Sequence, residues 1–289
     1  MAGIDLHLHT TASDGMLEPE QLVDLAVERG LDTIAITDHD TLEGIQPAVL
    51  QAQRYEGFTV IPGIELSTHS PGSELHMLGY FIDYLDPVLI SVCQRMRSDR
   101  LERARSMVSK LNNLGVNISW ARVAEIAGRS NIGRPHIARA LLEAGHISTF
   151  EEAFTLYLAR GRPAYVERFK ITPVEAIDII LKSGGLPVLA HPLLVKDYET
   201  VITELSIKGL EGLEVYYKDF AADERQRLAG LAEKLNLVAT GGSDYHGLDD
   251  INEVLPGKAD VPGSVLDRLV SRALQKGIKD IPEEIRRRC

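Results

Sequence analysis

Seven short apolar runs punctuate the chain: IDLHLHT, TIAITDH, FTVIPGIEL, ELHMLGYF, LPVLAH, GLEGLEVYY and LVATGGSDYH. Several are rich in Val, Ile and Leu with little polar alternation, the pattern of strands buried on both faces of a parallel sheet. Amphipathic helical stretches separate most of them. Residues 19–29 carry proline near the start and Gly30 just past the end, the asymmetry expected of a capped helix. Residues 173–182 and 221–235 read the same way. Strands alternating with helices predict a parallel α/β barrel rather than a sandwich, with about seven strands where a standard barrel has eight.

The alternation stops between residues 87 and 165. Helical periodicity runs through residues 100–114, 120–127, 135–142 and 150–158, with no strand between them. The organisation expected is a barrel domain of residues 1–86 and 166–289, interrupted by an all-helical insertion, residues 87–165, over the C-terminal rim. The final IPEEIRRRC is expected as a surface helix.

Composition narrows the class. Hydrophobic content of 44% and charged content of 25% suit a soluble globular fold. No apolar run reaches the roughly 18 residues of a membrane span. The chain opens with no basic segment leading into an apolar one, so secretion is not expected. Cys93 and Cys289 form neither a disulfide framework nor a zinc-type spacing, and a cytoplasmic location is the expectation. The net charge of −11 argues against binding of a DNA duplex. Residues 100–170 nevertheless balance at +6, leaving −17 for the remainder. An acidic body suits bound cations and a basic segment suits an anionic substrate, although a basic helical surface alone would give the same count.

Chemistry concentrates at the strand ends. His7 and His9 lie two apart on the first strand, so both imidazoles leave the same face. Asp14 follows in the next loop, His39 ends TIAITDH, and Glu65 ends FTVIPGIE. His76 lies within ELHMLGYF, His191 ends LPVLAH, and Asp244 and His246 close the last run. In a barrel such ends converge on one centre. A single histidine there is more often a hydrogen-bonded polar residue than a ligand, Asp14 could be a turn residue, and Asp244 a helix cap. Nine coincidences are improbable together. Six imidazoles and three carboxylates exceed what one ion uses, so two or three divalent ions are expected, with Glu65 as a bridge. Asp38 is a candidate acceptor behind the His39 imidazole, or a solvated loop carboxylate. No lysine is apparent at a strand end.

The ordered set His-Leu-His, Thr-Asp-His, Gly-Ile-Glu, a later His, His-Pro and Ser-Asp-Tyr-His resembles the polymerase and histidinol phosphatase (PHP) family over essentially the whole chain. The resemblance implies a distorted (βα)7 barrel, two or three Mn²⁺ ions (zinc or iron as alternatives) and phosphoester hydrolysis. It implies one ion on His7, His9, Glu65 and Asp244, a second on Glu65, His76 and His191, and a third on Asp14, His39 and His246. SNIGRPHIARAL, residues 130–141, resembles the stand-alone branch acting on nucleoside 3′,5′-bisphosphates and short RNA 5′ ends. There Gly133 would permit close backbone approach, Pro135 suits a first helical turn whose free N–H groups favour an anion, and Arg134 could hold a phosphate bidentately. Asn131 and His136 are further candidate contacts, and Arg100 and Arg103 share a helix face. Each of these also has a structural reading, as a cap, a packed ring or a solvated charge.

The chemistry expected is attack of an activated water on phosphorus, with His191 or His246 stabilising the leaving ribose oxygen. The substrate expected is a small anionic nucleotide, the 3′-phosphate of a nucleoside 3′,5′-bisphosphate being the bond cut. A 5′-to-3′ exoribonuclease on short RNA is the first alternative and a metal-dependent amidohydrolase a more distant one. A non-catalytic barrel would be expected to have lost donors, and here all nine are present. No membrane and no obligate protein partner are expected.

Overall fold

The computed structural model describes residues 3–70, 73–128, 132–167, 171–248 and 253–287. They fall into two compact units, one of Met1–Cys93 with Lys170–Cys289 and one of Gln94–Phe169. The helix Pro87–Asn113 begins in the first and continues in the second.

The first unit is a mixed seven-stranded sheet, nearly closed into a barrel and surrounded by helices. Its strands are β1 (Gly3–Asp5), β2 (Leu31–Ile36), β3 (Thr59–Ser70), β4 (Ser73–Tyr80), β5 (Leu186–Leu189), β6 (Gly212–Tyr217) and β7 (Val238–Gly242), in that spatial order. The expected all-parallel arrangement needs correction at one strand. β4 runs antiparallel to both β3 and β5, while the remaining neighbours are parallel. Only residues 71 and 72 separate β3 from β4, far short of the dozen or more that a parallel crossover needs, so the chain must fold back on itself.

β3 serves two neighbours. Thr59 to Pro62 pair with β2, and Gly63 to Ser70 pair with β4. The seam between the first and last strands closes just beyond their named ends. Leu6 N–H donates to Gly241 O at 3.2 Å, Asp244 N–H to His7 O at 2.9 Å and His9 N–H to Tyr245 O at 3.0 Å. Gly242 makes this approach feasible, because a Cβ there would stand 2.4 Å from His7 N and 2.5 Å from His7 Cβ.

Local chemistry explains the surrounding helices. In Pro173–Lys182, Thr172 accepts from Glu175 N–H at 3.2 Å and Glu175 accepts from Thr172 N–H at 2.7 Å, a reciprocal cap that begins the helix. Its Ala176, Ile177 and Ile180 face inward at helical spacing. Ile4, Leu186 and Val238, from the starts of strands, belong to one buried cluster with Val265, Leu266 and Leu269 of the helix Ser264–Gln275. That packing fills the end of the barrel opposite the strand tips.

The second unit is helical, with Trp120–Ala127, Arg134–Glu143 and Phe150–Ala153 following the long helix. Its own core contains Met107, Leu111, Val123, Ile137, Leu141 and Leu158. No helix among the described residues is long and apolar enough to cross a membrane.

Candidate metal centre

The strand tips bring the nine donors together around Glu65. Leu8 bridges to Tyr245 across the seam, so His7 and His9 on either side of it turn to the barrel interior, both buried. His39 follows β2 and forms a bridge with Glu65 in β3. His76 pairs with Ser67, two residues along β3 from Glu65, and so shares its face. Because β4 runs backwards, its donor sits mid-strand rather than beyond the strand's end.

Glu65 itself is 1% exposed and touches five imidazoles. His7 Nε2 at 3.2 Å, His9 Nε2 at 3.2 Å and His39 Nδ1 at 3.1 Å approach Oε2. His76 Nδ1 at 2.9 Å and His191 Nε2 at 3.2 Å approach Oε1. Asp244 Oδ1 lies 3.1 Å from His9 Nε2 and 3.4 Å from His7 Nε2. Asp14 Oδ1 lies 3.4 Å from His246 Nε2 and 3.7 Å from His9 Nδ1.

Among the described residues, three overlapping groups have donor atoms close enough to share an ion: His7, His9, Glu65 and Asp244; His39, Glu65 and His76; and His9, Asp14, His39 and His246. The first matches the set drawn from the family resemblance. His39 stands with Glu65 and His76 where the resemblance put His191, although His191 reaches the same Glu65 oxygen as His76.

The electrostatics are those of a site built around positive charge. Burial opposes ionisation of Glu65, yet the surrounding His39, His7 and His76 hold its carboxyl well below the ordinary range. Asp244 behaves alike, burial being outweighed by His7 and His9. Burial works against a charged His9, but Asp244 and Glu65 lift it to about 10. His39 goes the other way, lowered to about 4 by burial. Both ring nitrogens of His9 are buried without an aligned hydrogen-bond partner, as is Nδ1 of His191. Imidazole and carboxylate donors that converge on one buried point, with both His9 nitrogens left without an aligned partner, fit divalent cations.

A layer of residues behind the donors fixes them. Asp5 accepts from His7 N–H at 3.2 Å, Ser243 N–H at 3.0 Å and Gly257 N–H at 2.8 Å. Asp38 accepts from Thr10 N–H at 2.7 Å, Thr10 Oγ1 at 2.7 Å and Ser13 Oγ at 2.6 Å, which pins the loop carrying Asp14. His191 (φ 28°) and Asp244 (φ 50°) take left-handed conformations that cost a non-glycine residue about 1–3 kcal/mol.

Three members of this layer escaped the sequence reading. Glu214 lies 2.8 Å from His7 Nδ1 and accepts from His191 N–H at 2.7 Å. Tyr217 donates to Asp244 Oδ2 at 2.9 Å, and Lys218 Nζ lies 3.3 Å from the same oxygen. The available signal was a carboxylate inside the apolar run LEVYY. Lys218 also corrects the expectation of no strand-end lysine, since it directly follows β6. Its ammonium lies on Asp244, whereas the carboxylate shared by five imidazoles belongs to Glu65.

The remaining candidates belong to the second unit. Arg134 opens the helix Arg134–Glu143, half-buried, with its guanidinium 5.9 Å from the Phe154 ring centre. Pro135 lies in the first turn, as expected. His136 Nδ1 accepts from Gly133 N–H at 3.0 Å and so caps the helix. Gly133 is extended (φ −145°), a conformation open to any residue, so its backbone does not require glycine. Arg103 donates from Nε to Val166 O at 2.7 Å and lies over Tyr165, while Arg100 is half-buried on the same helix. Asn131 lies outside the described residues.

The PHP domain model matches residues 5–167. The chain belongs to the PHP domain family. A 5′-3′ exoribonuclease Rnm of Salmonella typhimurium is 37% identical over 84% of this chain and 84% of its own length. A 3′,5′-nucleoside bisphosphate phosphatase of Chromobacterium violaceum is 33% identical over 85% of this chain and 88% of its own. A solved structure from Bifidobacterium adolescentis, described as a metal-dependent phosphoesterase, superposes with TM-score 0.81 at 31% identity, covering 94% of this chain and 96% of that one. As a PHP protein with this fold, the chain is a metal-dependent hydrolase of phosphoester bonds.

Proposed function

We propose that this PHP protein removes the 3′-phosphate from nucleoside 3′,5′-bisphosphates, using two or three Mn²⁺ ions held by His7, His9, Asp14, His39, Glu65, His76, His191, Asp244 and His246, and that it acts in the cytoplasm. The observation carrying this reading is the single buried carboxylate of Glu65 facing five imidazoles, with Asp14 and Asp244 flanking them. Divalent ions bound there would neutralise phosphate oxygens and lower the pKa of a coordinated water toward neutrality. The protein's part is positioning: Glu65 and Asp244 keep their negative charge despite burial, and Asp38 and Asp5 hold the loops that present Asp14 and Asp244. His191 and His246 are the candidates for stabilising the leaving ribose oxygen. Arg134 is the proposed contact for the phosphate that is not cleaved, with Pro135, His136, Arg100 and Arg103 as further contacts.

A second reading, 5′-to-3′ hydrolysis of short RNA, draws support from the Salmonella relative, which is the more similar of the two curated ones described above. Phosphate and nucleotide release from bisphosphates, mononucleotides and short RNAs with added Mn²⁺ separates the two. His9→Ala and Asp244→Ala are expected to abolish turnover of every substrate. Arg134→Ala is expected to raise KM for a bisphosphate far more than for a simple aryl phosphate, and equal effects would remove Arg134 from the account. Full activity in chelator-stripped protein would overturn the metal reading.

A further inference from the structure

Glu214 sits in β6 with no solvent exposure, and its two oxygens go to donors from two different strands. Oε1 lies 2.8 Å from His7 Nδ1, beyond β1, and Oε2 accepts the backbone N–H of His191, beyond β5, at 2.7 Å. A neutral imidazole has one N–H and one lone pair, and an ionised carboxylate is satisfied only by the N–H. With Nδ1–H directed at Glu214, a neutral His7 would offer its Nε2 lone pair to a cation shared with Glu65 and Asp244, whose oxygens lie 3.2 and 3.4 Å from that nitrogen. His191 has a left-handed backbone, and the charge-assisted bond to its N–H holds that conformation while its Nε2 reaches Glu65 Oε1. The two imidazoles meet opposite oxygens of Glu65.

We infer that Glu214 is a positioning residue that sets the geometry of His7 and His191 jointly, choosing the tautomer of one and the backbone of the other. This rests on the cluster holding divalent cations, as proposed above, and is independent of which phosphoester is cut. A residue that merely filled space between β5 and β6 would affect stability and leave the donors' metal affinity intact.

Glu214→Gln preserves volume but offers one acceptor where two N–H groups each need one. Zn²⁺ titrated calorimetrically into the metal-free protein is expected to bind roughly 10–100-fold more weakly in this variant, with its far-ultraviolet circular dichroism unchanged. In the Zn²⁺-loaded wild-type chain, ¹⁵N histidine spectra are expected to show His7 protonated at Nδ1. Should Glu214→Gln fail to fold, Glu214→Asp, which keeps the charge one methylene short, is expected to show the same loss of affinity. The tautomer measurement needs no variant at all. Unchanged Zn²⁺ affinity in the folded variant, or His7 protonated at Nε2 in the wild type, overturns the inference. Wild-type protein that binds no Zn²⁺ overturns the metal reading beneath it, a result distinct from wild-type and variant binding equally.

Discussion

At Glu65, five imidazoles share two oxygen atoms, while Asp244 faces only His7, His9 and His246 among them. Glu65→Gln keeps the shape and removes the charge. In the metal-free protein this strips the buried, protonated His9 of one of its two counter-charges, which should cost up to about 3–5 kcal/mol of stability. Metal uptake should fall with it, as equilibrium dialysis followed by metal analysis would show. A second expectation concerns Cys93, which is buried, its thiol pushed up to about 12 by burial with a smaller contribution from Asp40. At pH 8 only about one thiol in ten thousand would be the reactive thiolate. In a Cys289→Ser variant, native protein should therefore resist iodoacetamide until denaturant is added, and rapid native labelling would contradict this burial. At this scale the donors were legible because each sits at the end of an apolar run. Glu214 was not, because its contact with His7 spans 207 positions and leaves only one acidic residue in an apolar strand as its mark.

Among the elements, the seven strands stood out from the sequence by their apolar runs, but the direction of β4 did not. Short apolar strands look alike whichever way they run. The informative detail was the Pro-Gly pair at positions 71 and 72, a turn signal too brief for a crossover. The seam between β1 and β7 yields the test at this scale. A methyl group on residue 242 would collide with the backbone of His7, which cannot swing aside as a flexible side-chain tip would. Gly242→Ala should therefore destabilise the protein by about 1–3 kcal/mol in urea melts and weaken metal binding together. A loss of stability with metal affinity intact would show that the seam can relax without moving His7.

For the whole molecule, ions that bind the folded chain and not the unfolded one stabilise it by mass action. At a free concentration a hundred times Kd the gain is about 2.7 kcal/mol. Adding Mn²⁺ should raise the melting temperature of chelator-treated protein, and Mg²⁺ should do so less, because it favours oxygen donors over imidazole. No shift with any divalent ion would count against the centre as a whole. The acidic balance of the chain was readable from composition and agrees with such a centre. The contacts of Arg134 and Arg103 were not readable, because lying over Phe154 and bonding to Val166 O depend on which segments pack together, whereas the His136 cap at Gly133 is local to its own helix.

The seam between the first and last strands also constrains how the protein matures. With donors from residue 7 to residue 246, and His7 seated only once residues 241–245 lie alongside it, a ribosome-bound fragment lacking the last strand has no complete cage to fill. Metallation at His7, His9, Glu65 and Asp244 therefore has to follow synthesis and docking of the strand that carries residues 238–242, whereas the group of His39, Glu65 and His76 is complete before that strand exists.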